Sequence, residues 1–242
     1  MVEFRNVAKE YAGGTVAVSD FSLVCESHKT TVLVGTSGSG KTTVMRMVNR
    51  MVEPTRGQVL WDGTDVSTMD PVVLRRSIGY VIQEGGLFPH WTVSDNIATV
   101  LRLEGAPKEE AREAALDLMD RVGLPRALAA RYPSQLSGGQ RQRVGVARAL
   151  ANKPLLMLMD EPFAALDPLV RRDLQDEMLR IRDEFGVTVL LVTHDINEAL
   201  RLGQKIVVMR EGGRIVQAGT PRDILDRPAS PFVLDIVEAG RF

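Results

Sequence analysis

Short apolar runs alternate with segments of helical periodicity along most of the chain, and the first 35 residues have the character of strands. Residues 16–18, 21–24 and 30–34 are mostly apolar or β-branched, a composition that is typical of strands. Gly13-Gly14 lies between two such stretches and predicts a turn. We therefore expect the chain to open with several short strands.

The apolar positions after residue 40 change to helical spacing. Val44, Met47, Val48 and Met51 follow one another at intervals of one to three residues and share one helical face. They predict a helix that is stopped by Pro and Gly within residues 54–57.

The middle of the chain is predominantly helical. Strands are predicted at residues 58–61 and 78–82, and helical patterns then dominate from about residue 92 to 128. One apolar face within residues 108–122 is made by Ala111, Ala114, Ala115, Leu118 and Val122. A stripe of this kind is typical of core packing.

Strands and helices alternate again after residue 154. In order, the pattern predicts a strand at 155–159, a helix at 168–185, a strand at 187–193, a helix opening near Asp195, a hairpin of 205–210 with 214–217, and a helical tail at 221–239 interrupted by Pro228 and Pro231. This alternation predicts an α/β core with a parallel sheet, into which the central helical stretch is inserted.

Composition narrows the class of protein. The chain has 242 residues, with 30 Lys and Arg against 31 Asp and Glu, and a single cysteine, Cys25. A formal charge of -1 argues against a general nucleic-acid binder, and one cysteine forms no internal disulfide. No apolar run approaches the ~20 residues that span a bilayer, and the N-terminus lacks the pattern of a secretory signal. Taken alone, these facts predict a cytoplasmic protein.

Residues 35–42, Gly-Thr-Ser-Gly-Ser-Gly-Lys-Thr, match the phosphate-loop pattern G-x-x-x-x-G-K-[ST]. Glycines allow the backbone to fold tightly around a phosphate with its N–H groups pointing inward. The following helix directs its positive end at the same anion. Lys41 is then expected to reach the outer phosphates, and the hydroxyl of Thr42 to bind Mg²⁺.

An acidic pair follows an apolar strand later in the chain. Residues 155–159 are apolar, and Asp160 and Glu161 come next, at the carboxyl end where α/β proteins place their ligands. Asp160 is expected to hold Mg²⁺ together with Thr42. Glu161 is expected to turn toward a water molecule in line with the terminal phosphate.

A second anion cradle is predicted at Leu136-Ser137-Gly138-Gly139-Gln140, just before a helical stretch at 141–150. Ser137 is a favourable helix cap, and the glycines leave backbone N–H groups open. One nucleotide loop and a second cradle in a single chain indicate a shared site. The second cradle is expected to serve a nucleotide that another copy of the chain holds.

These motifs, in this order, resemble those of the ATP-binding cassette ATPases over almost the whole chain. The match also includes Gln83 after an apolar strand, Ala165-Leu166-Asp167 after the acidic pair, and His194 after another strand. The resemblance implies an α/β fold: a P-loop NTPase core with a mostly parallel sheet, an N-terminal antiparallel β subdomain and an inserted α-helical subdomain. It implies one nucleotide-binding domain over 1–242, with a core at about 1–91 and 154–220, a helical subdomain at 92–153 and a tail at 221–242.

The resemblance also implies ATP and Mg²⁺ as cofactors, and a role for each matching residue. Tyr11 is similar to the aromatic residue that stacks on adenine, and His194 to the switch histidine that contacts the γ-phosphate and positions Glu161. The residues implied in nucleotide binding are Tyr11, Gly35, Thr36, Ser37, Gly38, Ser39, Gly40, Lys41, Thr42 and Thr43 in one copy, with Ser137, Gly138, Gly139, Gln140 and Asp167 acting across an ATP-sandwich dimer. Metal binding is implied for Thr42, Gln83 and Asp160, and catalysis for Glu161, His194, Gln83 and Lys41.

Three classes of cassette protein compete for this sequence. The first is the motor subunit of a membrane transporter, the second acts on nucleic acid or ribosomes, and the third is a scaffold in cofactor assembly. The second class usually has two cassettes or a long coiled-coil insertion, and neither is present here. Leu87, Phe88 and Trp91 lie after Gln83 at the start of the helical insertion. They have two interpretations, as local packing or as a groove that receives a helix of a permease.

Residues 80–98 resemble the ATPases of importers for osmoprotectant quaternary amines such as glycine betaine, choline and carnitine. Amino-acid and polyamine importers are the alternative. The resemblance implies a separate permease, a substrate-binding protein, no nucleic acid, and a position on the cytoplasmic face of a bacterial or archaeal membrane. Many such ATPases carry paired C-terminal CBS motifs. Only residues 221–241 precede Phe242 here, which leaves two interpretations, a shorter family member or a truncated chain. Ionic-strength regulation of that kind is therefore not carried over.

Overall fold

The computed structural model describes residues 1–83 and 86–240, and these residues divide into two compact units. The first unit comprises Met1–Arg75 together with the segment from Thr188 onward, and the second comprises Arg76–Val187. Glu84 and Gly85, within the segment that resembles osmoprotectant importers, and Arg241 and Phe242, at the end of the predicted tail, lie outside the described residues.

Strands and helices alternate along the described chain. The strands are β1 (Val2–Tyr11), β2 (Thr15–Cys25), β3 (Thr30–Gly35), β4 (Arg56–Trp61), β5 (Thr64–Asp65), β6 (Ile78–Val81), β7 (Leu156–Asp160), β8 (Thr188–Thr193), β9 (Lys205–Arg210) and β10 (Arg214–Gly219). The helices are α1 (Lys41–Val48), α2 (Pro71–Ser77), α3 (Val93–Leu103), α4 (Lys108–Arg121), α5 (Gly138–Leu150), α6 (Pro168–Phe185), α7 (Ile196–Leu202), α8 (Pro221–Asp226) and α9 (Pro231–Ala239).

The first unit contains an antiparallel sheet in the order β2-β1-β4-β5. Phe4 of β1 and Phe21 of β2 point into its core and meet edge to face, with ring centroids 5.3 Å apart. The turn predicted at Gly13-Gly14 joins β1 to β2, and both glycines have positive φ. This sheet is the antiparallel β subdomain that the resemblance implied.

A second set of strands in the first unit runs in the order β10-β9-β3-β8. β3 pairs in parallel with both β8 and β9, and every residue of β3 and β8 is buried. Continuous apolar composition suits strands that are covered on both faces. β9 and β10 form the predicted antiparallel hairpin through Glu211–Gly213. Parallel pairing brings the carboxyl ends of β3 and β8 to one edge, because Val34 is in register with Thr193.

The second unit contains the parallel pair β6 and β7 and most of the central helices, α3 to α6. The predicted apolar face of α4 is buried at Ala111, Ala115 and Leu118 and continues to Val122, while Ala114 is half-buried. The fold class predicted from sequence is therefore confirmed. The predicted boundary between core and helical subdomain stays a prediction.

Several element ends differ from the sequence prediction, and the predicted strands at 16–18 and 21–24 form the single strand β2. Helix α1 ends at Val48, so the predicted helical residue Met51 lies outside it and is exposed, because Arg50 adopts a left-handed backbone conformation (φ 56°) that ends the helix. Helix α5 begins at Gly138 rather than 141, since Ser137 supplies the cap. Strand β7 begins at Leu156, and Leu155 before it is exposed.

No helix in the described parts of the chain combines the length and the apolar character that a bilayer crossing needs. The thiol of Cys25 lies inside the first unit, at the end of β2, where burial raises its pKa to about 12. A thiol that stays protonated at neutral pH is a poor nucleophile, so Cys25 acts as a small apolar core residue.

Truncating Phe21 to alanine is expected to destabilise the chain by about 3–5 kcal/mol, because it removes a fully buried ring and its edge-to-face contact with Phe4. Urea unfolding measured by circular dichroism checks this value. Val24→Ala in the same strand is the matched control, since Val24 is exposed, and its loss should stay below about 1 kcal/mol. Equal losses in the two variants would contradict the proposed core.

Candidate functional site

The loop at residues 35–40 folds around the ammonium group of Lys41 in the first unit. The Lys41 Nζ donates to the carbonyl oxygens of Gly35 and Thr36, both at 2.8 Å, and to Ser39 Oγ at 3.2 Å. The Lys41 side chain is only 5% exposed. A buried ammonium needs this many oxygen partners, so the loop is curled tightly at the start of α1.

Glycine is required at two positions of this loop for steric reasons. A Cβ on Gly35 would collide with the carbonyl oxygen of Met209, and a Cβ on Gly40 would lie 2.6 Å from the carbonyl oxygen of Ala17. Gly40 also has a left-handed φ of 87° and is the N-cap of α1. Because the cap residue has no side chain, no cap hydroxyl or carboxylate occupies the N–H groups of the first turn. An anion is the natural partner of a helix start of this kind.

His194 lies at the same edge of the first unit as the phosphate loop. It follows β8, is exposed, and lines a cavity of about 370 Å³ together with Gly35 and Thr36. The helix α9 closes another side of this cavity, and Asn197 Nδ2 donates to the carbonyl oxygen of Gly240 at 2.8 Å. The structure thus brings the predicted switch histidine and the phosphate loop together. The part taken by the C-terminal helix was not foreseen from its sequence.

Tyr11 ends β1 and presents its ring to solvent at one side, with 42% of the residue exposed. Lys9 Nζ lies 5.1 Å from the ring centroid, a distance at which a cation is attracted to the aromatic face. A partly exposed ring at the end of a strand fits the adenine-stacking role that was predicted for Tyr11.

The acidic pair lies in the second unit. Asp160 is the last residue of β7 and is buried, and Glu161 follows it with a left-handed φ of 46°. Such a conformation is uncommon for a glutamate and is found preferentially at functional sites. Because β7 ends at Asp160, the side chain of Glu161 does not follow the alternation of side chains between the two faces of the strand.

The predicted signature segment forms the start of α5. Ser137 Oγ accepts from the Gln140 N–H at 3.2 Å, and Gln140 Oε1 accepts from the Ser137 N–H at 2.9 Å. These reciprocal bonds are a capping box. The predicted capping role of Ser137 is confirmed. A Cβ on Gly139 would collide with Val170 of α6, whereas at Gly138 it would meet its nearest atom at 3.8 Å.

Gln83 lies after β6 and near the signature segment within the second unit. It is exposed and lines a cavity of about 250 Å³ with Gly138, Arg141, Gln142 and Leu166 among others. The side chain of Gln142 approaches the carbonyl oxygen of Ile82, next to Gln83, at 3.5 Å. The structure therefore brings Gln83 and the signature segment of one chain to the same cavity.

The apolar segment after Gln83 is fixed by a buried asparagine that sequence inspection did not single out. Asn96 accepts from the Phe88 N–H at 2.8 Å, and its amide group donates to the carbonyl oxygens of Phe88, Trp91 and Thr92. The rings of Phe88 and Trp91 pack with centroids 4.6 Å apart, and Phe88 remains 41% exposed. The segment therefore combines local packing with an exposed aromatic surface.

The other predicted site residues also fall at element ends. Asp167 is the N-cap of α6 and accepts from the Val170 N–H at 3.1 Å. Ser37 and Gly38 lie in the curled loop, and Thr42 and Thr43 lie in the first turn of α1. The phosphate loop, Tyr11 and His194 belong to the first unit, and the remaining site residues to the second.

The oxygen donors implied for Mg²⁺ suit that ion. A hydroxyl at Thr42 and a buried carboxylate at Asp160 are hard ligands of the type that Mg²⁺ prefers. Across residues 1–83 and 86–240, no cluster of three His, Cys, Asp or Glu side chains forms a metal cage. Mg²⁺ is normally held by one or two protein ligands together with phosphates and water, so the residues present fit that ion.

Comparison with known proteins defines the family. The family model described as ABC transporter matches residues 18–164. The carnitine transport ATP-binding protein OpuCA of Listeria monocytogenes is 47% identical over 241 residues, which are 100% of this chain and 60% of the relative. The glycine betaine uptake system ATP-binding protein YehX of Escherichia coli is 49% identical over 233 residues, which are 96% of this chain and 75% of the relative.

A solved structure shows the same fold. The ATP-binding cassette MJ0796, in a dimeric post-hydrolysis state bound to ADP and Pi, superposes with a TM-score of 0.83 at 34% identity over 92% of this chain and 99% of that structure. The chain therefore belongs to the ABC transporter family. It spans about 60% of the length of the carnitine transport relative OpuCA and about 75% of the length of YehX.

Gly139→Ala is expected to lower the free energy of unfolding by about 1–3 kcal/mol, because the new methyl group must displace the stiff side chain of Val170. Urea denaturation measures the loss. Gly138→Ala at the adjacent position is the matched control and should stay within about 0.5 kcal/mol of the wild type, since a Cβ there has room. A destabilised Gly138→Ala with an unaffected Gly139→Ala would contradict this packing of α5 on α6.

Proposed function

We propose that this chain is the ATP-hydrolysing motor subunit of an ABC importer for osmoprotectant quaternary amines. The observation that carries the ATPase part is the curled loop around Lys41, with the cap-free start of α1 beside it. The relatives named for carnitine transport and for glycine betaine uptake support the substrate class.

The proposed reaction is hydrolysis of ATP by water. The water oxygen attacks the γ-phosphorus, the bond from that phosphorus to the β–γ bridging oxygen breaks, and ADP leaves with the bond electrons. Glu161 polarises the water and accepts its proton, which passes on to solvent or to phosphate. Lys41 and the loop amides stabilise the charge of the phosphate oxygens, which is the main requirement of phosphoryl transfer.

The remaining roles follow the family resemblance. Tyr11 stacks on adenine, and His194 contacts the γ-phosphate from the cavity that it shares with Gly35 and Thr36. Thr42, Asp160 and Gln83 would hold Mg²⁺, which supplies charge neutralisation at the phosphates when it is bound.

A second copy of the chain is the proposed first partner. Ser137, Gly138, Gly139 and Gln140 would contact the γ-phosphate that the partner copy holds, and Asp167 would act across the same interface. The related cassette MJ0796 is dimeric in its state bound to ADP and Pi, and this supports the arrangement.

Glu161→Gln is expected to leave ATP binding intact and to lower turnover at least about 100-fold, because the amide polarises water poorly. Phosphate release measures turnover, binding of a fluorescent ATP analogue measures affinity, and size-exclusion chromatography detects the ATP-bound dimers that should accumulate.

Lys41→Ala is the matched comparison, because it removes a charge that contacts phosphate rather than water. Its affinity for the nucleotide should fall, and no ATP-locked dimer should form. Wild-type turnover in Glu161→Gln, or unchanged nucleotide affinity in Lys41→Ala, is inconsistent with the assigned roles.

The other proposed partners are an integral-membrane permease and, through it, a substrate-binding protein, with this chain on the cytoplasmic face of a bacterial or archaeal membrane. The exposed aromatic surface at Phe88, held in place by Asn96, suits a groove that receives an apolar helix. No nucleic acid is expected as a partner, given the balanced charge.

Purification of the tagged chain from its native membrane should recover a permease, and the complex in proteoliposomes should import quaternary amines. We expect ATP-dependent uptake of labelled glycine betaine, carnitine or choline, and no uptake of a polyamine or of a proteinogenic amino acid. The complex with Lys41→Ala provides the background. Recovery of ribosomes in place of a permease would overturn the importer function, and uptake of a polyamine alone would overturn the proposed substrate class.

A further inference from the structure

A buried hydroxyl and a buried carboxyl group are hydrogen-bonded to each other directly beside His194. Thr193 is the last residue of β8 and 2% exposed, and Glu198 lies in the first turn of α7 and is 3% exposed. Thr193 Oγ donates to Glu198 Oε2 at 2.6 Å. This distance is at the short end of the range for O–H···O hydrogen bonds.

The same hydroxyl also holds the backbone on the far side of His194. The N–H of Asp195 donates to Thr193 Oγ at 3.0 Å, and the carboxylate of Asp195 in turn accepts from the Asn197 N–H at 2.8 Å. Thr193 and Asp195, on either side of His194, are therefore hydrogen-bonded to each other, and each is also hydrogen-bonded to a residue at the start of α7. The Thr193 hydroxyl is the donor to Glu198, so an oxygen lone pair of the same hydroxyl accepts the N–H of Asp195.

The position of this pair relates it to the phosphate loop. Thr193 is in register with Val34, the residue before Gly35. The exposed side chain of His194 lines the cavity that Gly35 and Thr36 also line. A rotation of the backbone at His194 would therefore change where the imidazole lies relative to the loop.

We propose that Thr193 and Glu198 are positioning residues for His194. Glu198 holds the Thr193 hydroxyl in one orientation. That hydroxyl, through its hydrogen bond to the N–H of Asp195, fixes the backbone on both sides of His194. The imidazole is thereby positioned to contact the γ-phosphate. The inference rests on the proposed ATPase function and on the role given there to His194. Neither residue contacts the reacting atoms.

The test measures the histidine ring directly as well as the rate. The chain has three histidines, His28, His90 and His194, so two-dimensional NMR of the full chain labelled at histidine gives a simple spectrum, which His194→Ala assigns. Thr193→Val, an isosteric change that removes the hydroxyl, should shift or broaden the His194 ring signals and leave those of His90 unchanged. Its kcat for ATP should fall about tenfold at nearly constant nucleotide affinity. Glu198→Gln should produce the same pattern at about threefold.

The same substitution at the opposite end of β8 is the matched control. Thr188 is buried, and its hydroxyl accepts from the backbone N–H of His28 at 2.9 Å. Thr188→Val should therefore affect the His28 signals alone and leave kcat at the wild-type value. Thr193→Ser restores the hydroxyl and should recover most of the lost rate. Should Thr193→Val fail to fold, Glu198→Gln decides the outcome through the same ring signals and kcat.

The outcomes separate this inference from the proposed function. If His194→Ala hydrolyses ATP at the wild-type rate, the role proposed for His194 is wrong. If His194→Ala is impaired while Thr193→Val and Glu198→Gln keep both the His194 signals and kcat, the positioning inference alone is wrong. If these two variants lower only thermal stability, the pair is structural and the inference is again overturned.

Discussion

Burial of the Lys41 ammonium in its own loop is the constraint on which the first unit depends. The cation is removed from water, so its three donors must find oxygen partners within the loop, and they do so at Gly35, Thr36 and Ser39. Such a tight curl is possible only if the loop leaves a fixed strand and enters a fixed helix. The buried strand β3, held on both sides by the parallel strands β8 and β9, supplies the first requirement, and the cap-free start of α1 supplies the second.

Helix starts carry most of the remaining candidate chemistry, and they do so in two physically different ways. Gly40 begins α1 without a side chain, so the cap residue itself offers no acceptor to the first turn, and the positive end of the helix favours an anion there. Ser137, Asp167 and Asp195 each accept a hydrogen bond from their own helix. These capped starts are rigid, because each cap satisfies amides that would otherwise fray.

The residues that were predictable from sequence are those whose function requires a local pattern. The phosphate loop, the helix cap at Ser137 and the apolar strands before Asp160 and His194 can each be recognised in a short run of consecutive residues. The end of α1 was missed because a left-handed residue at Arg50 overrides an apolar pattern that continues to Met51. Asn96, which joins Phe88, Trp91 and Thr92, was missed for another reason. Its bonds depend on loop geometry that has no period in the sequence.

The Thr193–Glu198 pair belongs to this second group and shows why a functional histidine needs more than its own motif. His194 is exposed at the edge of a cavity, so the backbone on either side of it determines where its imidazole lies relative to the phosphate loop. Burial of a carboxyl group is costly unless it is hydrogen-bonded, and the hydrogen bond from Thr193 places Glu198 in the network around His194. The strand β8 is buried along its whole length and is therefore rigid. The hydroxyl of Thr193, at the end of this strand, fixes the backbone of His194, which lines the same cavity as the phosphate loop.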